Sequence, residues 1–537
     1  MTSLLLFIFI SLSVIFIVLQ NGLYLEDVSV PNLKIKQLYI KWNENLDISI
    51  KEIEIIKNKN VSKPRLDEIS KVLKKIPHFY NIIEKISIDK IIIDDMSGSF
   101  TYTRGENGYL NIGSSNISLK SSMIFETNLL NIKIDEFKDI EKDISINGNI
   151  ILNTDTQEIT SSLYLDIHND ISLNFIAYAD KDKLYYKIDS LKDIKNITYA
   201  MELLNLHSEV KYWAYEAIDF SSLKINDIHG WIDFKDLDNA YKNIYAFASG
   251  DDLTYAYNKN LDSIHTKKTD IIFKNGILYI YPRDAHTYKS KLSKSWLKID
   301  FTKKEELLTL KLLFDGKLDK DTLRILEQYK IKTLFLQNSG VTKTNLTLEV
   351  NLRTIAVNAK GDFFTKKANF NYLGYDIDVF DVYLKLNNYD VSIKNMLAKY
   401  QDLITTNVDV VFDADNSKGT IDFNIKKINL KNIDLSLNTK KERLKARYTI
   451  SPNGDNISIE NSSWNIENHE IDVDKITSPF NLDTRKLKIQ KTTIESKELA
   501  KGYVYGSIDL KSLKADLNII LQKIYFSDIK LNKKKQT

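Results

Sequence analysis

Two adjacent carboxylate pairs, Asp94–Asp95 and Asp251–Asp252, are the residues whose type and spacing first invite a chemical reading. Two carboxyl groups flanking one substrate can serve as general acid and general base. Both side chains must then reach the same side of the backbone. Neighbours in an extended strand point to opposite faces, so Asp94 and Asp95 cannot share a substrate if their segment is extended. Asp251–Asp252 follow Gly250 and read as a turn. A pair assembled from distant positions stays open at this level, since such pairs carry no local spacing. The seven histidines are His78, His168, His207, His229, His265, His286 and His469. None forms H-x-x-x-H or H-E-x-x-H, and no two lie within four residues, so no zinc spacing is present. Cysteine is absent, which excludes disulfides, thiolate metal sites and thiol catalysis. There is no Walker loop, no G-x-G-x-x-G and no G-x-S-x-G. The expectation is a chain without catalytic residues, metal ligands or a cofactor: not an enzyme.

Charge narrows the partners. Lys+Arg number 75 against Asp+Glu 72, a net +3 spread along the chain, and the one basic block is Lys533–Lys535. Phosphate backbones need a clustered basic face, so nucleic acid is not an expected partner. Hydrophobic residues make up 43%, enough for a packed interior rather than disorder.

The elements that would have to position any site are mostly strands. Residues 4–19 come first, and they carry no charge; with Ser3 the apolar run is 17 residues, at the short end of what spans a bilayer. No basic segment precedes it and no small-residue cleavage site follows. It reads as an uncleaved single-pass anchor, carried by Leu4, Leu5, Leu6, Phe7, Ile8, Phe9, Ile10, Ile15, Phe16 and Ile17. A three-residue tail inside and the bulk outside would put the bulk of a Gram-negative protein in the periplasm.

Past the anchor, apolar residues keep period two, the mark of a strand with one apolar face. Val28 and Val30, then Leu33 to Trp42, then Leu46 to Ile55 read as four short strands joined by tight turns. Ile69, Val72, Leu73 and Ile76 follow helical spacing, which Pro77 should end or kink. At 144–167, Ile144, Ile146, Ile150 and Leu152 alternate with mostly polar neighbours, turn residues follow, and Leu163 and Leu165 resume the alternation. This is one hairpin with its apolar side chains on one face. Helical spacing returns at 196–218, and again at Leu323, Leu326 and Tyr329; 238–248 is ambiguous. From Lys343 onward strands dominate.

The chain therefore divides into an anchor (1–22), an N-terminal β segment (23–190) with a helix near 66–85, a mixed middle region (191–340) and a C-terminal β segment (341–537). The fold class is mainly β: an elongated, curved, antiparallel β-groove, an open trough, with a few short helices and one transmembrane helix. Ile144, Ile146, Ile150, Leu152, Leu163 and Leu165 are the candidate groove-lining residues. Trp213, Trp231, Tyr255, Tyr257, Tyr279 and Tyr281 cluster in the middle third, as core aromatics or as the lining of an acyl-chain groove.

Residues 208–288 resemble the middle region of the YhdP-type AsmA-like proteins of Gram-negative bacteria. A Trp-bearing helix precedes a Gly-x-hydrophobic strand, then an Ala-aromatic strand, an acidic turn, x-Tyr-x-hydrophobic, and hydrophobic-x-Phe-x-x-Gly-x-Leu-x-Ile. The matching positions are Trp213, Gly230, Ala246, Asp252, Tyr255, Tyr257, Phe273, Gly276, Leu278 and Ile280. The anchor followed at once by "LEDVSVPNLKIKQLYIKW" also resembles this family. The resemblance implies that 241–248 is strand. It further implies an inner-membrane protein whose long periplasmic β-groove carries phospholipid between inner and outer membranes, without catalytic residues. Members are often longer, and this chain stops in strand rhythm, as a short member or one lacking a C-terminal part. The alternative is an envelope scaffold or outer-membrane assembly factor that holds an outer-membrane or periplasmic protein by strand addition. A third reading is an envelope-processing enzyme.

Overall fold

The computed structural model describes residues 14–56, 75–196, 217–256, 260–288, 290–292, 294–328, 335–372, 374–430, 435–437, 444–466, 469–481, 483–512 and 514–525. It is mainly β, an open antiparallel sheet with few helices. Two compact units divide the chain: Met1–Tyr255 with Lys267–Ile280, and Ala256–Thr266 with Tyr281–Thr537. Ile, Val, Thr, Tyr and Phe fill the strands. Their branched or flat side chains suit a pleated, half-buried surface.

In the first unit, helical residues 14–21 (α1) lead into β1 (Leu23–Val30), β2 (Leu33–Trp42) and β3 (Leu46–Ile55). After α2 (Ile76–Ile82) come β4 (Ile83–Ile93), β5 (Met96–Thr103), β6 (Gly108–Gly113), β7 (Ile117–Glu126) and β8 (Leu129–Asp139). Next are β9 (Ile144–Asn153), β10 (Glu158–Ile167), β11 (Ile171–Ala179), β12 (Lys183–Ser190), β13 (Ile218–Asp219) and β14 (Ser222–Asp233). A 3₁₀ turn (Leu237–Asn243) leads to β15 (Ile244–Tyr255), β16 (Ile264–Lys274) and β17 (Ile277–Arg283). From β1 to β12 each strand pairs antiparallel with its neighbour in sequence, save β3 and β4, which are parallel. A parallel pair cannot be closed by a hairpin, and the connection that carries α2 supplies the crossover. β12 then pairs with β14, and β14 with β15. Asn275 and Gly276, with φ of 53° and 71°, turn the chain between β16 and β17. Two successive positive φ angles make the turn type that matches strand twist.

The second unit continues with β18 (His286–Thr287), β19 (Ser290–Lys291), β20 (Trp296–Asp300), β21 (Leu307–Gly316), α3 (Lys320–Gln328), β22 (Phe335–Asn351) and β23 (Val357–Tyr372). Then follow β24 (Tyr375–Asn387), β25 (Asp390–Tyr400), β26 (Ile404–Asp413), β27 (Lys418–Leu430), β28 (Leu435–Leu437) and β29 (Leu444–Ile450). The last are β30 (Asp455–Ile459), β31 (Ser462–Ile466), β32 (His469–Val473), β33 (Ile476–Asn481), β34 (Lys486–Ser496), β35 (Ala500–Asp509) and β36 (Lys514–Ile524). β20 to β27 are a run of sequence-adjacent antiparallel pairs. Beyond β27 the ladder is carried by shorter strands, β29–β30–β33 at one end and β28–β31–β32 at the other. Both ends rejoin at β34.

Bulges interrupt the ladders at a recurring place in the sequence pattern. Register shifts fall between Ile88 and Ile91, Ile134 and Phe137, Ile393 and Met396, and Ile489 and Thr492. In each case the residues on the apolar face stand three apart instead of two. Gln37, Asp381 and Asn395 take a left-handed φ of 53° within their strands, and the Asn395 amide donates to Asp409 Oδ1 at 2.7 Å. An extra residue bends its strand and raises its twist while leaving the apolar set on its own face.

Several expectations are corrected. Leu33–Trp42 and Leu46–Ile55 are single strands, so three strands, not four, lie between residues 23 and 55. The parity change from Ile35 to Leu38 marks a bulge, not a turn. Asp251–Asp252 is no turn either: both lie in β15, with Asp252 at φ 48°. Conversely Asp94, at φ 55°, sits in the β4–β5 turn rather than in an extended segment. Pro77 occupies the first turn of α2, where its missing N–H has no partner to lose; most of the helix that it should end or kink lies outside the described residues. Residues 66–74 and 197–216, where helices are expected, lie outside the described residues. Of 241–248, residues 241–243 end the 3₁₀ turn and 244–248 are strand. α3 matches the helix expected around Leu323.

Candidate functional site

The candidate site is the apolar face itself, and the β9–β10 hairpin shows how it is built. Asn153 begins the turn by accepting the amides of Asp155 and Thr156 on Oδ1, at 3.0 and 3.1 Å. That turn sets a register in which Ile144 opposes Ile167, Ile146 opposes Leu165, Ile150 opposes Ser161, and Leu152 opposes Ile159. Leu163 faces Gly148. All six candidate residues, Ile144, Ile146, Ile150, Leu152, Leu163 and Leu165, therefore share one face. Only Leu152 is buried, at 4% exposure; the other five are half-buried.

Register extends the face across strands. Phe125, Leu130, Leu152, Ile159, Ala179, Leu184 and Ile232 form one row over β7 to β12 and β14. In the second unit, Phe363, Leu384, Ile393, Val410, Ile421, Tyr448 and Ile457 form a comparable row over seven strands. A face sealed by a second layer would bury such side chains almost completely. In the first row only Phe125 and Leu152 are buried, at 3% and 4% exposure, and the other five are half-buried, as are all seven of the second row.

Closed packing is local. Ile167, Ile171, Ile194 and Leu223 form a buried cluster in the first unit, and Ala368, Val379, Val382, Ala398 and Val408 one in the second. At the α2 end, Tyr80 lies against Phe125 with ring centroids 4.4 Å apart. Arg104 fixes it there by donating to the carbonyls of Tyr80 and Ile83 at 2.6 and 3.0 Å. Burial pushes the neighbouring Tyr102 phenol up to about 12.

Gly148 interrupts the face between Ile146 and Ile150. Its φ is 138°, and a Cβ there would fall 2.2 Å from the Ser162 carbonyl oxygen. Gly148→Ala is expected to destabilise the first unit by about 1–3 kcal/mol, through clash and strain together. Urea unfolding checks this; an unchanged midpoint would mean that the strands part without cost.

The opposite face is polar and laced with cross-strand ion pairs. Glu52 accepts from Lys36 at 2.6 Å and from Lys90 at 3.1 Å. Those hydrogen bonds, Lys36's first, hold its carboxyl below the usual range. Arg447 grips Asp422 with two bonds of 2.5 and 3.1 Å. Exposed pairs of this kind set register more than they stabilise. Trp231 belongs to this side: it opposes Tyr185, with Lys183 Nζ 4.4 Å from its ring centroid. It lines no apolar groove, because Gly230, its neighbour, takes the apolar side. Trp213 and Tyr257 lie outside the described residues.

The candidate carboxylates and the described histidines have the following partners. Asp251 Oδ2 accepts from Ser222 and Asp252 Oδ2 from Ser221, at 3.2 and 3.3 Å, so the pair tethers β15 to β14. His229 Nδ1 lies 2.9 Å from Asp227, while His168 and His469 each stand 3.4–3.5 Å from one carboxylate. Sequence spacing missed one meeting: β16–β18 pairing brings His265 opposite His286, ring centroids 5.6 Å apart. Among the described residues no three His, Asp or Glu side chains gather as metal ligands. His207 is outside them.

Leu4–Ile10 of the expected anchor lie outside the described residues. Ile15, Phe16 and Ile17 are on α1 at 55%, 47% and 55% exposure, and Phe16 stands 6.4 Å from the Trp42 ring. Among the described residues no helix is long and apolar enough to cross a membrane.

Sequence reasoning also missed a recess at one rim of the second unit. There Tyr372 and Tyr375, on either side of the β23–β24 turn, meet Tyr448 and Phe480. The Tyr375 hydroxyl donates to the Leu510 carbonyl, 135 residues away. No local pattern signals such a meeting. No family model, curated protein or solved structure matches the chain.

Proposed function

We propose that the chain is an inner-membrane-anchored, periplasmic AsmA-like protein of the YhdP type that conducts phospholipid between inner and outer membranes along its apolar face. One observation carries the reading: apolar rows run in register over seven strands, and most of their side chains keep partial exposure. An acyl chain in water costs about 0.8 kcal/mol for each exposed CH₂, and such a row lowers that cost at every strand it crosses. Transport asks for shallow, repeated binding, which suits a face with no polar centre. The trough geometry has its own support in the second unit. Tyr375 and Leu510 are separated by eight strand pairings, from β24 through β30 and β33 to β35. On a flat sheet that would be roughly 38 Å. Their hydrogen bond supports a bend of this part towards its apolar side, of the kind that bulges favour. Residues 4–19 would hold the protein in the inner membrane, uncleaved.

The second reading, strand addition to an envelope protein, draws on β36. It pairs only with β35 among the described residues, and Ile519, Ile520 and Leu521 are 61%, 46% and 52% exposed. An uncovered apolar edge is a template for another strand.

Native mass spectrometry of the full chain, released from membranes into a non-lipid amphipol, separates the two. Several phospholipids bound per chain are expected. A lipid-free chain with one protein partner, lost on Ile519→Lys, would favour the scaffold and overturn lipid conduction.

A further inference from the structure

The recess at the rim of the second unit has a volume of about 230 Å³. Its walls are rings and aliphatic carbon: Tyr372, Ile421, Phe423, Ala446, Tyr448 and Phe480 among them. The Tyr448 and Phe480 rings meet edge to face at 5.7 Å. Of the three tyrosine hydroxyls on the wall, two are engaged by the protein itself. Tyr448 gives its proton to Asp455 and Tyr375 to the Leu510 carbonyl. Arg447 lines the recess with its stem, its guanidinium being held by Asp422 on the other side of the sheet. Arg485 stands at the rim, 5.8 Å from the Tyr375 ring centroid. Burial is the first cause that raises the phenols of Tyr372 and Tyr448.

We infer that this recess seats the terminal methylenes of one phospholipid acyl chain. The inference rests on the lipid-conducting reading, and makes one place on the face different from the rest. Three observations choose the occupant. The wall offers no inward hydrogen-bonding set that would hold a headgroup or a sugar. The volume is below the roughly 300–1,000 Å³ of sites that enclose a whole drug-sized ligand, so a chain end fits and a complete lipid does not. The recess also opens from the row that runs through Ile421, Tyr448 and Ile457, so a chain lying along that row has its end delivered to it. A lipid there would pause, with the Tyr375–Leu510 contact as the outer wall.

Photolabelling of the full chain tests this. The probe is a phosphatidylethanolamine carrying a diazirine at one acyl terminus, and a second carries the diazirine next to the glycerol ester. The terminal probe is expected to label the peptides that hold Tyr372, Tyr448 and Phe480 at least fivefold above the mean of other apolar-face peptides. The ester-proximal probe should show no such enrichment. Ala446→Trp, which fills the recess, should return the terminal label to that mean while leaving labelling of β9 and β10 unchanged. If Ala446→Trp fails to fold, Ile421→Phe serves the same purpose. Even labelling along the whole face would overturn the seat and leave lipid conduction standing. Enrichment that survives the filling variants, or labelling by a terminal-diazirine free fatty acid but not by the phospholipid, would also overturn it. Absence of label on every apolar-face peptide would overturn both.

Discussion

Ile171→Asp should unfold the first unit under conditions in which the second stays folded. Ile171 is 2% exposed and packs with Ile167, Ile194 and Leu223, each no more than 6% exposed. A carboxylate there has no cation to meet and no route to water. An uncompensated buried charge costs on the order of several kcal/mol, a large share of the 5–15 kcal/mol that stabilises an ordinary domain. Urea titration followed by strand circular dichroism should show one transition moved to much lower denaturant. The pH dependence has a definite sign. Burial raises the folded-state pKa of the introduced carboxyl above its unfolded value, so the folded state holds the proton more tightly. Stability then falls as pH rises through that window, and the variant should be weaker at pH 8 than at pH 5. Equal loss at both pH values would mean that the carboxylate reaches solvent, and that the cluster is not closed.

On the proposed lipid-conducting reading, the same substitution on the open face should do the reverse, sparing stability and abolishing transport. Ile146 and Ile150 are half-buried, and their cross-strand neighbours are Phe137, Leu165, Ile132 and Ser161. A carboxylate at either position can keep part of its hydration. Ile146→Asp with Ile150→Asp is therefore expected to cost about 1–2 kcal/mol, mostly lost apolar contact, with near-normal abundance. A lipid chain moving along the row would meet two charges in succession and would have to shed or share their water. Outer-membrane lipid supply should fail. The control is Ser145→Asp with Asn149→Asp on the polar face, beside Lys138 and Lys133, which should be silent. Lost abundance in the face variant but not in the control would make these positions core and remove the trough from this stretch.

How much of this was legible follows from which interactions are local. Period-two alternation identified the β9–β10 hairpin and put its six apolar residues on one face, because pleating ties parity to face. The bulges were legible too, but in a different notation. A three-residue step between apolar residues, as from Ile35 to Leu38 or Ile88 to Ile91, keeps the face while adding a residue. Read as a turn, it splits one strand in two. The parallel pairing of β3 with β4 left no mark, since parity is the same for either strand direction. Trp231 was misplaced because an aromatic is at home on both faces of a solvated sheet, and its neighbour Gly230 gave no apolar signal. The rim recess was beyond sequence reasoning altogether. Tyr375 and Leu510 meet although 135 residues separate them, and no window of sequence contains both.

The near-unbroken succession of hairpins in the first unit also bears on how it comes into being. From β4 to β12 every strand pairs with the one just made. Each closure therefore spans a short loop, and the entropy lost per closure is small. A sheet of this kind has a low contact order for a β protein, and it can lengthen strand by strand, as repeat arrays do. From β4 to β12 the ladder grows from the amino end, although the cluster around Ile171 is completed only when Ile194 and Leu223 arrive. Two closures that no hairpin makes should be slower: β3 must wait until the chain has passed through α2 before β4 can lie beside it, and β12 must wait for β14. Between them the strands can be laid down in the order in which the chain is delivered.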